Sequence, residues 1–472
     1  MPPALHHADE PKSNAARDGI AEVEPRSLRT WTPTQAVLAK SAGVFHWTPE
    51  GKRLYDYSSG VLVANLGHNP RSWLKRFNGY MGWEPNAQAN GSAGEYVPAV
   101  AMTTYNAVTP LEVEASRRLG KVVRSQPGGG RLEQVFWAAS GSEAIQKALW
   151  ASMARDRSRE MILATRNGFH GKKGLANAVT GSETDRERDP RVRFISFPTT
   201  ECADVSMRGS PFDPMPYRRE LEALYAQFGR RIGTLITEPY LGGGGSYHPP
   251  REYLQLLQSF CREHDIVFVL DEVQANFGRT RDLFAFVTYG LEPDMVVLGK
   301  GLGNGVPVAA VVGRADLFGS LEYGEGSDTW SANPLSCAAV LATLEGFAGH
   351  DILGHSRKMS AQIEAHLVRL KELPFVARVR GEEGGMVWGV EMCDHGDRSA
   401  TDWAGACVLA CYQGDGSRSD GIHLLGPLAK KVLRISPPLV ITADEVDRSM
   451  ELMARSLSRL VPTPRSSAVP VS

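Results

Sequence analysis

Lys300 closes the apolar run "DMVVLG" and opens "KGLGNG", in which Gly301, Gly303 and Gly305 follow it. A long cation at such a junction is either a surface residue ending a strand or an amine held at a sheet edge, and most lysines face solvent. Other positions with chemical potential follow apolar runs in the same way. Asp271 follows "IVFVL", where a carboxylate is costly to bury without a cationic or hydrogen-bonding partner. Ser140-Gly141-Ser142-Glu143 opens a helical pattern; glycine permits close approach, and the hydroxyls and free N–H groups favour an anion such as phosphate. The same four residues also read as a plain serine N-cap with an acid in the first turn. Phe169, in "NGFHG", could present a flat face to a ring or simply fill the core. Glu238 ends "IGTLITE".

The surrounding pattern decides whether these residues can meet. From residue 133 short apolar segments alternate with amphipathic ones: strands at 133–139, 160–165, 192–197, 232–238 and 266–272, then "DMVVLG" and "VAAVVG", with helices at 141–157, 217–228 and 251–265. That alternation predicts an α/β domain with a mostly parallel sheet. Open parallel sheets gather ligands at the C-terminal ends of their strands, which is where all five positions fall. One edge then supplies a phosphate cradle, an aromatic face, an acid for a ring nitrogen and an amine. Each residue alone suits ordinary packing. Together they suit pyridoxal 5'-phosphate held as a Schiff base on Lys300, with Asp271 as the partner of its pyridine nitrogen.

Around this core, residues 45–68 read as strands and turns with Pro49-Glu50-Gly51 between two of them, and residues 71–100 as a long irregular connection. Helical periodicity marks 110–124, and a long helix starts at "NPLSCAAVLATLEGFAG". Helices near 354–371 and 402–413 alternate with strand-like "FVARVRG", "GMVWGVEM" and "VLRISPPLV". The last helix, 443–460, has Thr442 as N-cap and Glu445 completing a capping box. The expected organisation is a disordered leader (1–28), an N-terminal part of a small domain (29–75), a large cofactor domain (76–340), the C-terminal part of the small domain (341–460) and a disordered tail (461–472).

Bulk properties exclude several classes of partner. The 472 residues carry 52 basic and 53 acidic side chains, a formal net charge of -1, so nothing favours nucleic acid or an anionic membrane. No run has the length of a membrane span, and the N-terminus lacks the apolar stretch of a secretory signal. Six dispersed cysteines form no zinc spacing and call for no oxidising compartment, and no metal site is expected. The expected location is cytoplasmic.

The chain resembles the class III (omega) aminotransferases, fold-type I pyridoxal-phosphate enzymes, from about residue 45 to 458. The motifs are "YDYSSGVLVANLGHNP", "SGSEA", "FHG", "EP", "DEVQANFGRT", "PDMVVLGKGLGNGVP", "DTWSANPLSCAA" and "LRISPPLVIT", in the family's order. The resemblance implies an α/β fold: a large domain with a mostly parallel mixed sheet, and a smaller α+β domain built from the N- and C-terminal parts. It implies that Gly141 and Ser142 hold the phosphate, Phe169 stacks on the ring, Asp271 keeps the ring nitrogen protonated, Gln274 lies near the ring hydroxyl and Glu238 supports the cofactor. Lys300 would anchor the cofactor and shuttle the proton, Arg434 would bind a substrate carboxylate, and Thr329 would reach the phosphate of a neighbouring subunit in a homodimer or higher oligomer. The implied reaction moves an amino group, terminal in some members, from an amino acid or amine to 2-oxoglutarate or pyruvate. An aminomutase and a decarboxylating transaminase are alternatives in the same family, and a non-catalytic binding protein on the scaffold is a third.

Departures from the family pattern bear on specificity. Where glutamate-using members read "EPVQGEGG", this chain reads "EPYLGGGG" (238–245), without the second acid that pairs with the arginine. Ile145 and Gln146 replace the usual pair after "SGSEA", and Trp330, Ser331 and Ala332 replace smaller residues. Tyr240 and Val61 are read as pocket-wall residues, with Tyr57 and Trp388 as further candidates that could equally be core.

Overall fold

The apolar segments pair into three sheets in a computed structural model that describes residues 5–83, 97–185, 188–416 and 420–461. The strands are β1 (Lys40–Ala42), β2 (Phe45–Trp47), β3 (Arg53–Asp56), β4 (Gln134–Ala138), β5 (Met161–Thr165), β6 (Val192–Ile195), β7 (Ile232–Thr237), β8 (Val267–Asp271), β9 (Met295–Leu298), β10 (Ala309–Gly313), β11 (Val376–Gly381), β12 (Trp388–Met392), β13 (Asp420–His423) and β14 (Val432–Ile435). The large sheet runs β4-β10-β9-β8-β7-β5-β6. Its β9-β8-β7-β5-β6 portion is parallel, whereas β10 runs antiparallel to both β9 and β4. β5, β7, β8, β9 and β10 are buried along their whole length, as expected for strands covered on both faces.

Helices Gly141–Arg155 and Arg251–Glu263 each pack an apolar stripe against this sheet. The first starts at a full capping box: Ser140 Oγ accepts from Glu143 N, and Glu143 Oε2 accepts from Ser140 N. The long helix Pro334–Ala348 is apolar nearly all round and lies in the core.

The ends of the chain share one core. β3 of the N-terminal hairpin pairs in parallel with β13, and Val44, Tyr55 and Tyr57 pack among residues of 359–457. β11-β12-β14 form the third sheet. The capping box at Thr442 and Glu445 starts helix Ala443–Ser458 as its sequence implies. The β13 pairing has no signal in its four residues, because a short partly polar strand is specified by its partner rather than by its own alternation.

Two sequence expectations are corrected. The leader is not wholly disordered: Pro11–Val23 is a helix. Its Ser13 gives both N–H and hydroxyl to Glu50 (2.8 and 2.6 Å), and Arg17 is buried against Glu10 (2.7 Å) and the Gln35 carbonyl (3.0 Å). A polar sequence with little apolar face is ordered here by tertiary hydrogen bonds that composition does not display. Within 71–100, Arg71–Met81 is a helix whose Trp73 is buried and donates to Thr343 Oγ1 (3.0 Å); residues 84–96 lie outside the described residues. The tail after 461 also lies outside them. Among the described residues no helix is long and apolar enough to cross a membrane, and all six cysteines are free.

The docking of the first helix is testable. Glu50→Ala removes two hydrogen bonds to a carboxylate, each worth about 1.5–3 kcal/mol. Tryptic cleavage after Lys12 and Arg17 is expected to accelerate at least about tenfold in that variant, followed by mass spectrometry, with the rest of the chain resisting as before.

Candidate active site

Five strand ends of the large sheet converge on Lys300. β9 ends at Leu298, and Gly299 passes the chain to Lys300, which sits at φ +47 and begins a short 3-10 turn. A positive φ is uncommon for a residue with a Cβ and marks a position held by its surroundings. Those surroundings leave little room: a Cβ on Gly301 would run into Asn65 Nδ2, and one on Gly299 would press on Val273 Cγ1 at 3.2 Å. Val273 also lies 3.1 Å from where a Cβ of Gly141 would stand. One side chain thus sets the spacing between the lysine turn and the start of helix Gly141–Arg155.

The amine of Lys300 has no hydrogen-bond or ion-pair partner among the described residues. Burial pushes its pKa down from the usual lysine range, Asp271 and Glu238 pull it back up, and Arg434 pushes it down. Those three side chains are therefore its electrostatic neighbours. An amine weakened this way exchanges a proton more readily than a surface lysine.

Asp271, at the end of β8, is almost wholly buried; its Oδ2 meets His170 Nδ1 at 2.7 Å and its Oδ1 accepts from Val273 N at 3.0 Å. His170 Nε2 is buried and has no hydrogen-bond partner among the described residues. Sequence reasoning passed over His170 as part of "FHG"; its only signal was adjacency to Phe169, since the contact crosses from one strand end to another. Glu238 Oε2 accepts from Phe169 N (2.8 Å) and its Oε1 from Gly242 N (3.2 Å). Burial raises the Glu238 carboxyl to about 7, with His170 pulling it down and Asp271 pushing it up.

The glycine run brings the remaining walls together. A Cβ on Gly242 would run into Gln274 Oε1, and one on Gly243 would meet Phe169 Cβ at 3.1 Å. Tyr240 OH lies 3.3 Å from both the Gln274 carbonyl and Gln274 Oε1, and its ring stacks on buried His248 at 4.3 Å. Arg434, on β14, is buried and donates to the Gly242 carbonyl at 3.3 Å, while its Nε has no hydrogen-bond partner among the described residues. No ion pair to Arg434 exists among the described residues, as the missing acid in "EPYLGGGG" leads one to expect.

At the opposite side, the first-turn N–H groups of Gly141 and Ser142 precede the first intrahelical bond and stay open. Ser142 Oγ is 3.4 Å from Lys172 N, and Gly171, at φ +141, has no room for a Cβ beside it. The loop with Thr329 is anchored by buried Lys147, which donates to Asp328 Oδ2 (2.7 Å) and Ser331 Oγ (2.8 Å).

The predicted residues fall into two groups. Lys300, Asp271, Glu238, Arg434, Phe169, Gln274, Tyr240, Gly141 and Ser142 form a connected site at one sheet edge. Thr329 and Val61 are exposed, Val61 by 41%. Tyr57 and Trp388, the two candidates that could equally be core, are both wholly buried, with Tyr57 OH 2.7 Å from Ser449 Oγ and Trp388 Nε1 donating to Glu364 at 3.3 Å.

The donor set fits pyridoxal phosphate. The orphaned N–H groups of a helix start suit a dianionic phosphate, the half-exposed face of Phe169 a ring, and the buried Asp271 a protonated ring nitrogen beside an unpartnered amine.

Comparison with known proteins shows the family and the fold. The family model described as aminotransferase class-III matches residues 95–457. The acetylornithine aminotransferase of Caldanaerobacter subterraneus subsp. tengcongensis is 27% identical over 92% of this chain and 97% of its own. The omega-aminotransferase of Caulobacter vibrioides is 27% identical over 90% and 94%. Among solved structures, the ornithine aminotransferase from Toxoplasma gondii superposes with a TM-score of 0.76 at 20% identity, covering 96% of each chain. An omega-transaminase from Thermomicrobium roseum gives 0.77 at 24%, covering 97% of this chain and 100% of that one.

His170→Ala strips a buried carboxylate of its imidazole. The expected cost is about 1–3 kcal/mol of stability in the cofactor-free protein, read from denaturant midpoints, together with weaker cofactor retention on gel filtration.

Proposed function

Because the chain belongs to the class III aminotransferases, pyridoxal-phosphate-dependent transamination is its reaction, and we propose that Lys300 and Asp271 are the residues that carry it. The supporting observation is an unpartnered, buried lysine amine placed among Asp271, Glu238 and Arg434. The cofactor supplies an electron-withdrawing ring that acidifies the C–H beside the substrate nitrogen. Gly141 and Ser142 would hold its phosphate, Phe169 would pack against one face of the ring, and Gln274 would lie beside the ring hydroxyl. Asp271, oriented by His170, would accept the ring N–H and hold the proton there. Glu238 would brace the Phe169 backbone. Lys300 Nζ, its basicity lowered by burial, would take the proton from the substrate carbon and return it to the carbon on the far side of the nitrogen.

The substrate reading rests on Arg434. A buried guanidinium with an unpaired Nε and no carboxylate partner is poised for an anion. We infer that it takes a substrate carboxylate directly, with no acid to displace first. The donor is then an amino acid or omega-amino acid, and the acceptor pyruvate or 2-oxoglutarate. Relatives named for acetylornithine, ornithine and omega-amino groups support a terminal amine as the group transferred. They also favour transamination over the aminomutase and decarboxylating alternatives, and the retained Lys300–Asp271 neighbourhood speaks against a non-catalytic protein.

The same reading includes a homodimer or higher oligomer, with exposed Thr329, Trp330 and Tyr323 on the face turned to a second copy. It also includes the division into a large domain (76–340) and a small domain built from both ends, supported by the separate apolar clusters on each side, and a cytoplasmic location, supported by six free cysteines.

Lys300→Ala is expected to abolish turnover and the visible absorbance of lysine-held cofactor while far-ultraviolet circular dichroism stays unchanged; turnover retained in that variant rejects the assignment. Arg434→Ala should raise KM for carboxylate-bearing substrates by about 30-fold or more, the equivalent of about 2 kcal/mol or more for a buried charged hydrogen-bonded pair, and leave amines without a carboxylate little changed. Equal loss on both substrate types argues against the clamp.

A further inference from the structure

Among the described residues, one largely buried set of metal-ligating side chains lies away from the lysine site and is not used by the reaction. His46 lies on β2, Asp56 ends β3, and His68 follows the next turn. One ligand atom from each falls within 4.8 Å of the others. Asp56 Oδ2 is 2.7 Å from His68 Nε2 and 3.4 Å from His46 Nε2. His46 is 3% exposed and Asp56 0%.

The outer contacts aim these atoms at a common point. His46 Nδ1 is bonded to Ser41 Oγ at 2.6 Å, which leaves Nε2 turned toward Asp56, buried and without a hydrogen-bond partner. Asp56 Oδ1 accepts from Ser58 N (2.7 Å), Ser58 Oγ (2.7 Å) and Ser59 N (3.0 Å), which leaves Oδ2 for the imidazoles. Outer bonds of this kind orient the ligands of metal centres. A third imidazole, His423, meets His46 edge-on at 5.4 Å, and its Nδ1 is also buried and unpartnered.

We propose that His46, Asp56 and His68 form a site for one divalent first-row cation, zinc being the best match to two imidazoles and a carboxylate. Zinc bonds of about 2.0–2.2 Å place tetrahedral ligand atoms roughly 3.3 Å apart. The His46–Asp56 separation already has that value, and His68 moves away from Asp56 by about 0.6 Å to admit the ion. The fourth position falls to water or to His423.

The ion would be a staple rather than a reactant. Asp56 also holds Ser59–Leu62, four residues with positive φ that form a left-handed turn containing the β-branched Val61. Such a turn is strained for every residue with a Cβ. It leads to Asn65, which packs on Gly301 beside Lys300. A cation tying His46, Asp56 and His68 together would fix this strained segment where it meets the lysine turn.

The test uses purified holoenzyme treated with a chelator, dialysed against Co2+ and then challenged with Zn2+. One Co2+ per chain by elemental analysis, a four-coordinate Co2+ absorption displaced by Zn2+, and a higher Tm with metal are expected. His46→Gln and His68→Gln should each lower the affinity at least about tenfold while retaining the cofactor's visible band, which reports folding. A His6→Gln, His7→Gln double variant should bind as the parent does. No retained ion in the parent protein, or retention undiminished in both single-ligand variants, overturns the proposal.

Discussion

Keeping an amine and a carboxylate together at a dry sheet edge is the constraint on which the rest of this structure depends. Asp271 is nearly inaccessible, and ionised it must be compensated. His170 supplies one bond and the Val273 N–H another. Lys300 stays within its field without pairing to it, so the amine is neither neutralised in an ion pair nor exposed to water. A direct ion pair would be a more comfortable resting state and a poorer base. The long-range arrangement leaves both groups available to a ligand between them.

Steric limits then fix where these groups stand. Val273 separates the first turn at Gly141 from the lysine turn at Gly299, and neither glycine tolerates a side chain without moving it. Gly242 and Gly243 let the loop after β7 close onto Gln274 and Phe169. In the same loop no acid faces Arg434, whose charge burial opposes and Tyr240, Glu238 and the Gly242 carbonyl support.

The large sheet meets the two terminal segments through comparable economy. Arg279, wholly buried in the motif "DEVQANFGRT", donates to Asn65 Oδ1 at 2.9 and 2.6 Å and to the Pro437 carbonyl at 2.6 Å. It joins the large sheet to both the N-terminal and C-terminal segments without a carboxylate, delocalising its charge over backbone and amide oxygens. Asn65 in turn abuts Gly301, so the join lies next to the lysine it supports.

Sequence alone determined the alternation of strands and helices, the placement of Lys300, Asp271 and Glu238 after apolar runs, and the capping box at Thr442. These are local: period, caps and strand ends are written within a few residues. Tertiary structure decided the rest. His170 became the partner of Asp271 through a contact spanning 101 positions. Tyr57, just past β3, is buried against Ser449, and Trp388, on β12, against Glu364. The polar helix Pro11–Val23 formed because Glu50 and Gln35 were there to receive it. His46, Asp56 and His68 came together only when a hairpin and a left-handed turn folded back on each other. Each of these depends on which distant group fills a given space, and spacing along the chain carries no record of that.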